Sequence, residues 1–278
     1  MMVTGKRQEA RDWPRNRVVV ITGGASGIGA AAAHAFGKAG ARIALLDLDA
    51  AEAERERDTL QQEGIAAMSF PCDMADESQC RTAMEAAGSQ FGRIDILFNN
   101  AGITQRGPFR EATTAAIRRV MDTNFFGALY CTKAALESLI DRRGMIIVTS
   151  SIAGLAPVLG RTAYCASKHA LHGLFGTLRS ELKGLGVHVM IVCPGFTRTN
   201  LQVRALDPRG EVNVHERTKV GREASPEEVA AAIVRGAARK KDLLVLSATG
   251  KLSHAIFRLS PSIYAWLMPR SLREEIQR

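Results

Sequence analysis

Aromatic residues are scarce in this chain, 5% of 278 residues, and only three of them are tyrosines. Cysteine is sparse as well. The five thiols, at 72, 80, 131, 165 and 193, form no Cys-x-x-Cys pair and no His/Cys cluster of zinc spacing. Their odd number argues against a disulfide framework and for a reducing compartment. His34, His169 and His172 fall on expected helices without ligand spacing, so no metal site is expected. Cys165 and Cys193 have no paired His and Asn/Asp arrangement in the sequence and read as small core residues. No apolar run reaches the length of about eighteen residues that a membrane-spanning helix requires. The opening stretch MMVTGKRQEARDWPRNR has no apolar signal-peptide core. The expectation is a cytoplasmic protein without a transmembrane segment. A formal charge of +9 invites a nucleic-acid reading, yet no Lys/Arg run is interleaved with aromatics and no helix-turn-helix, zinc-finger or RNA-recognition pattern is present. Nucleic acid is therefore not an expected partner. Internal repeats and low-complexity segments are also missing.

What the chain does have is alternation. Seven short apolar, β-branched runs recur: RVVVITG, RIALLDLD, AAMSFPCD, IDILFNNAG, GMIIVTSS, VHVMIVCPG and DLLVLSA. Most are nearly continuous in hydrophobicity, the signature of strands buried on both faces. Segments of helical spacing lie between them, at about 27–39, 50–62, 77–90, 113–140, 163–183 and 226–239. The order predicts an α/β fold: one doubly wound Rossmann domain over 17–249, with a seven-stranded parallel sheet and helices on both faces. Residues 1–16 read as a polar tail and 250–278 as a C-terminal appendage.

The first strand runs into TGGASGIG, with glycines at 23, 27 and 29 beside the start of a helix. Glycine serves where backbone turns sharply or approaches a ligand, and a helix N-terminus offers free N–H groups to a pyrophosphate. The second strand ends at Asp47, eighteen residues after Gly29. A carboxylate there can accept both ribose hydroxyls of a dinucleotide and would repel a 2′-phosphate. Asp49 is better placed than Asp47 to cap the next helix.

A second constellation lies in SSIAGLAPVLGRTAYCASKHALHGL. On a helix, Tyr164 and Lys168 share one face, four residues apart. A nearby cation eases ionisation of a phenol whose ordinary pKa is about 10. Ser151, thirteen residues upstream of Tyr164, adds a hydroxyl that could polarise a substrate oxygen. A serine for polarisation and a cation-assisted tyrosine for proton transfer serve hydride chemistry without a metal.

TGGASGIG, NNAG at 99–102, Asn124 in MDTNFFG, Ser151 in SSIAG, YCASK and PGFTRT at 194–199 together resemble the successive motifs of the short-chain dehydrogenases/reductases, over about residues 17–200. The resemblance implies that Tyr164 is the acid/base and that Lys168 lowers its pKa while bonding the nicotinamide ribose. Ser151 would hold the substrate oxygen, and Asn124 would support a relay water beside the lysine. It further implies cofactor contacts from Gly23, Ser26, Gly27, Ile28 and Gly29 in the loop. Asp47 would meet the ribose, Asp73 and Met74 the adenine, and Asn100, Ala101 and Gly102 the adenosine side. Thr197 and Thr199 would lie near the carboxamide, although the family often has an aliphatic residue where Thr197 stands. NAD is the expected cofactor ahead of NADP, with a secondary alcohol or carbonyl as substrate. A catalytically silent, NAD-sensing protein on the same scaffold is the alternative.

Ligands of open α/β sheets bind beyond the carboxyl ends of the strands. Those ends supply GITQRGPF, AGLAPVLG and the mixed, polar, mobile-looking stretch 195–223; Leu155, Val158 and Leu159 suggest a lipophilic substrate. The similarity extends to the branch of the family that handles steroid-, retinoid- or lipid-like substrates. The appendage carries Phe257, Tyr264, Trp266 and Met268 among basic residues and could cover the pocket, pack on another subunit or lie on a membrane. Pro261 and Pro269 interrupt any long amphipathic helix, which favours a lid or subunit contact. A homodimer or homotetramer is expected from apolar residues on several faces of 113–140 and 163–183, with Phe125, Phe126, Leu174 and Phe175 as the residues at issue.

Overall fold

A computed structural model describes residues 13–201, 204–213 and 222–272, the last four as backbone alone. Of the long stretch 195–223, residues 202–203 and 214–221 lie outside the described part, as do 1–12 and 273–278.

Seven parallel strands form one sheet: β1 (Val18–Thr22), β2 (Arg42–Asp47), β3 (Ala67–Pro71), β4 (Ile96–Asn99), β5 (Met145–Thr149), β6 (His188–Cys193) and β7 (Leu243–Val245). Their spatial order is β3-β2-β1-β4-β5-β6-β7. The chain builds outward from β1 in one direction, then returns to β4 and builds the other way. The crevice beyond the carboxyl ends of β1 and β4 is therefore the topological switch point where such sheets bind ligands.

The strands alternate their apolar side chains between two cores, as a sheet covered on both faces must. Val20, Leu97 and Val148 face one layer, where they meet Met84, Leu139 and Phe175. These come from α3 (Glu77–Phe91), α5 (Gly127–Asp141) and α6 (Thr162–Leu182). Ile21, Phe98 and Ile147 face the other, against Phe36, Leu60 and Ile233, carried by α1 (Gly27–Lys38), α2 (Ala50–Gln62) and α7 (Pro226–Ala238). Helix starts follow local chemistry: Asp49 caps α2 through the Glu52 amide, and Ser225 with Glu228 forms a full capping box on α7. Near the N-terminus, Trp13 meets Phe36 edge-on, so the turn at 13–16 packs on the sheet's helical layer.

Two elements differ from the sequence expectation. The segment 113–140 is helical throughout but not uniformly α: α4 (Thr114–Met121) passes through a π turn at Asp122–Phe126 before α5. A π turn widens the helix by one residue and re-aims a side chain, here that of Asn124. The appendage folds as two helices, α8 (Ala248–Leu259) and α9 (Pro261–Leu272). Pro261 opens α9, the one helical position where a missing N–H costs nothing.

Candidate active site

The turn between β1 and α1 is built around three glycines with different duties. Gly23 and Gly27 adopt φ of +62° and +56°, the left-handed region that side chains resist. At Gly29 the demand is space, since a Cβ would lie 1.9 Å from the Gly23 carbonyl oxygen. The first turn of α1 thus lies against the loop with no side chain between, and Ser26 at its N-cap makes no side-chain cap bond. The N–H groups and dipole of that helix end remain available to an anion.

Asp47, at the carboxyl end of β2, turns its carboxylate toward this loop and accepts from the Ala25 and Asp49 amides at 3.0 and 3.1 Å. Asn100 acts as a cross-tie among three strand ends. Its amide donates to the Thr22 and Gly23 carbonyls at 3.2 and 3.1 Å, while its oxygen accepts from the Thr149 hydroxyl at 3.2 Å. Ala101 is held through its own N–H on the Thr22 hydroxyl. Asp73 accepts from the Ala75 amide, shaping the turn after β3. Met74 follows Asp73 in the turn after β3. Its side chain is buried in the core with Sδ 3.8 Å from the Cys131 thiol, so only its backbone can face the crevice.

Lys168 extends from α6 to the end of β5 and donates to the Thr149 carbonyl at 2.8 Å. It lies 5.6 Å from the centroid of the Tyr164 ring. Asn124 brackets the same region: its amide oxygen accepts from the Ile103 N–H at 2.8 Å, and its nitrogen donates to the Ile103 carbonyl and the Ser167 hydroxyl, each at 2.9 Å. A Cβ on Gly102 would come within 3.1 Å of Asn124 and 3.5 Å of the Lys168 ammonium, so this glycine leaves room beside the cation. Ser151 opens the short turn Ile152–Gly154 by accepting from the Ala153 amide, and its hydroxyl lies on the same cavity wall as the Tyr164 phenol.

Burial pushes the Tyr164 phenol above its ordinary value, and the Ser151 hydroxyl, followed by the charge of Arg161, draws it back. The Lys168 ammonium faces the Thr149 carbonyl, and burial draws its pKa down to about 8. Cys193 is buried in the core, with His172 Nε2 3.7 Å from its thiol. Burial pushes that thiol up to about 12 and the imidazole down to about 4, so the pair is neutral and is no nucleophile.

Both halves of the site open into one cavity of about 280 Å³. Ile28 and Thr199 come from the cofactor side, and Ser151 and Tyr164 from the other. Thr199 crosses the glycine loop, with its Cβ 3.2 Å from where a Cβ on Gly27 would stand. Thr197 also lines the cavity, its hydroxyl directed to the Gly195 carbonyl. The outer wall is the appendage: Leu252, Ile256, Tyr264 and Leu267 face the space. Tyr264 is fixed there by a 2.8 Å bond to the Pro157 carbonyl. The close fit of Gly250 against Ile152, where a Cβ would be 2.7 Å away, seats the start of α8.

Several contributors escaped the sequence reading. Thr22 receives two amides with one hydroxyl, the Thr149 carbonyl anchors the lysine, and Arg161 is buried beside Tyr164 and bonded to Thr104 at 3.3 Å. Thr22 had a signal in its place directly before the glycines. Arg161 had none, because nothing local marks an arginine as buried. Among the described residues no group of three or more His, Cys, Asp or Glu could hold a metal, and no helix is long and apolar enough to cross a membrane.

Residues 17–209 match the short chain dehydrogenase family. Similar proteins include dehydrogenase/reductase SDR family member 7B of Danio rerio, 34% identical over 94% of this chain and 87% of that protein, and its counterpart in Bos taurus, 36% identical over 95% and 84%. Among solved structures, a short chain dehydrogenase/reductase from Burkholderia phymatum in complex with NAD superposes with a TM-score of 0.78 at 26% identity, covering 88% of this chain and 95% of that one. A dehydrogenase/reductase from Sinorhizobium meliloti gives 0.76 at 29% identity over 88% and 98%. A glycine-built switch-point turn beside a cavity lined by Ser151 and Tyr164, in a chain matched along most of its length, makes this protein a member of the short-chain dehydrogenase/reductase family of oxidoreductases.

Proposed function

We propose that the protein is an NAD-dependent oxidoreductase that interconverts a secondary alcohol and a ketone, with a lipophilic substrate. One observation carries the reading: the Ser151 hydroxyl, the Tyr164 phenol and the glycine-loop residue Ile28 line the same largely apolar cavity. The residues fit a dinucleotide, because Gly29 leaves the loop free of side chains and Asp47 lies against it. When bound, the nicotinamide supplies or accepts the hydride.

This chain's share is orientation and a proton. Ser151 and Tyr164 present two O–H groups to the substrate oxygen; Ser151 holds it and Tyr164 Oη gives or takes the proton. Burial keeps Tyr164 protonated at neutral pH, which suits a donor to a forming alcohol. Lys168 places a cation under the site of the nicotinamide ribose and faces Tyr164. The Asn124 side chain is committed to Ile103 and Ser167, so its part here is to position the segment beside the ammonium. The apolar wall from α8 and α9 excludes bulk water and favours an apolar substrate body.

The adenosine end of the site would be held by Ser26, Gly27, Asp47, the backbone at Asp73 and Met74, and Asn100 to Gly102. The carboxamide would lie near Thr197 and Thr199. A cytoplasmic homodimer or homotetramer goes with this reading, formed by the outer faces of the π turn, α5 and α6, where Phe125, Phe126 and Leu174 are half-buried; Phe175 is fully buried and cannot contribute. Light scattering reads that assembly.

The test is a panel of ketones and secondary alcohols of increasing apolar size, followed by reduced-nicotinamide absorbance. Turnover that improves with apolar size supports the proposal. Tight NAD binding with no turnover on any member would replace it with the silent NAD-binding reading.

A further inference from the structure

Five exposed large apolar side chains, Leu252, Leu259, Ile263, Trp266 and Leu267, gather on the α8–α9 hairpin. Leu259 is 87% exposed, Leu252 62% and Ile263 55%, while Leu267 is 38% exposed. Isolated apolar surface residues need no explanation, but a cluster on two adjoining helices does. Leu252 and Leu267 belong to the cavity wall as well. The outer patch and the interior of the pocket are thus one continuous apolar surface that meets at the mouth.

Charge decides what covers it. Between Asp242 and Glu274 the chain has no acidic residue, whereas Lys251, Arg258, Arg270 and Arg273 are basic. Lys251 and Arg258 are exposed on α8, flanking the leucines. An amphipathic element with apolar side chains outward, cations beside them and no acid within its own two helices has the make-up of an interfacial helix on an anionic bilayer. Pro261 does not prevent such a surface, since it starts α9 and the hairpin presents two short helices side by side.

A second copy of the chain is the competing occupant. A partner seated on Leu252 and Leu267 would cover the entrance to the cavity, and its own copy of this surface would bring cations against cations. A bilayer would leave the entrance facing the acyl-chain boundary. We infer that the α8–α9 hairpin docks the protein on anionic membrane surface, with the pocket mouth directed to the lipid. This uses the lipophilic-substrate reading for its purpose only, and binding to vesicles is measured without turnover.

The experiment is co-sedimentation of the full chain with phosphatidylcholine vesicles and with vesicles containing about one-third phosphatidylserine, at low and high salt. Leu259→Glu and Ile263→Glu are compared, neither residue lining the cavity. Binding to the anionic vesicles that falls at least about tenfold in high salt and in each variant is expected, with folding checked by circular dichroism and turnover on a water-soluble substrate preserved. A chain that stays in the supernatant with both lipids overturns the inference, as does equal binding by the variants. A dimer that L259E dissociates, without vesicle binding, would instead assign the patch to a second copy.

Discussion

The Lys168 ammonium is pinned to the Thr149 carbonyl oxygen at 2.8 Å, which ties α6 to the last residue of β5. That bond holds a cation in a nearly sealed place, and burial draws its pKa down to about 8. In the unfolded chain the same lysine stays charged to about pH 10.4.

The sign of the stability effect follows. Between those two values the unfolded state binds more protons, so the stability of the cofactor-free protein gains from this group as pH rises; below about pH 8 the full destabilisation is present. Lys168→Met should therefore raise the Tm of the cofactor-free protein by a few °C near pH 7 and flatten its rise between about pH 8 and 10. Turnover should be lost at the same time. Thermal unfolding across that range is the measurement, and a lower Tm at neutral pH would show that the Thr149 bond outweighs the desolvation.

Tyr164→Phe removes a hydroxyl without changing the packing of the ring. Turnover should fall by at least about a thousandfold with NAD affinity within about threefold of wild type, and Ser151→Ala should fall by about a hundredfold or more. Steady-state kinetics and cofactor titration separate the two effects. Turnover within a few-fold of wild type in Y164F would remove the phenol from the reaction.

Gly29→Ala drives a Cβ to within 1.9 Å of the Gly23 carbonyl, and backbone on both sides leaves little room to relax. NAD affinity should drop by at least about tenfold and the protein should be destabilised by several kcal/mol, in the range of a severe packing conflict. Gly173, inside α6 with nothing within 4 Å of its Cβ position, is the control. Gly173→Ala should leave affinity unchanged and raise stability by about 0.5–1 kcal/mol. Denaturant titrations of both variants decide the matter.

Coenzyme choice rests on Asp47 and on an arginine that the sequence did not bring forward. Arg42, at the start of β2, is occupied at the other end of the strand by Phe91. Arg204 is closer, 3.9 Å from Asp49, two residues beyond Asp47. The wild type should prefer NAD over NADP by roughly a hundredfold in kcat/KM, since a carboxylate opposes the 2′-phosphate at a cost of about 2–3 kcal/mol. Asp47→Ala should narrow that gap by at least tenfold, and adding Arg204→Ala should restore part of it. Equal use of both coenzymes by the wild type would place Asp47 away from the ribose.

Strand count, order of elements and the motifs that line up at the sheet's switch point were legible in the sequence because each has a local cause. Continuous apolar runs such as RIALLD need burial on both faces, and TGGASGIG needs a turn that only glycine allows. Tyr164 and Lys168 share a face by helical periodicity alone. What each side chain does once there was settled by contacts between distant segments. The bond from Lys168 to Thr149, the turn of Met74 into the core, the meeting of His172 with Cys193, and the π turn that aims Asn124 at Ile103 all join residues from different elements. The direction of the pKa shifts belongs to this second kind, since desolvation depends on what covers a group and not on its neighbours in sequence. So does the wall that α8 and α9 place over the cavity: the sequence carries their apolar and basic residues, but only packing decides that Leu252 and Leu267 face both the pocket and the outside.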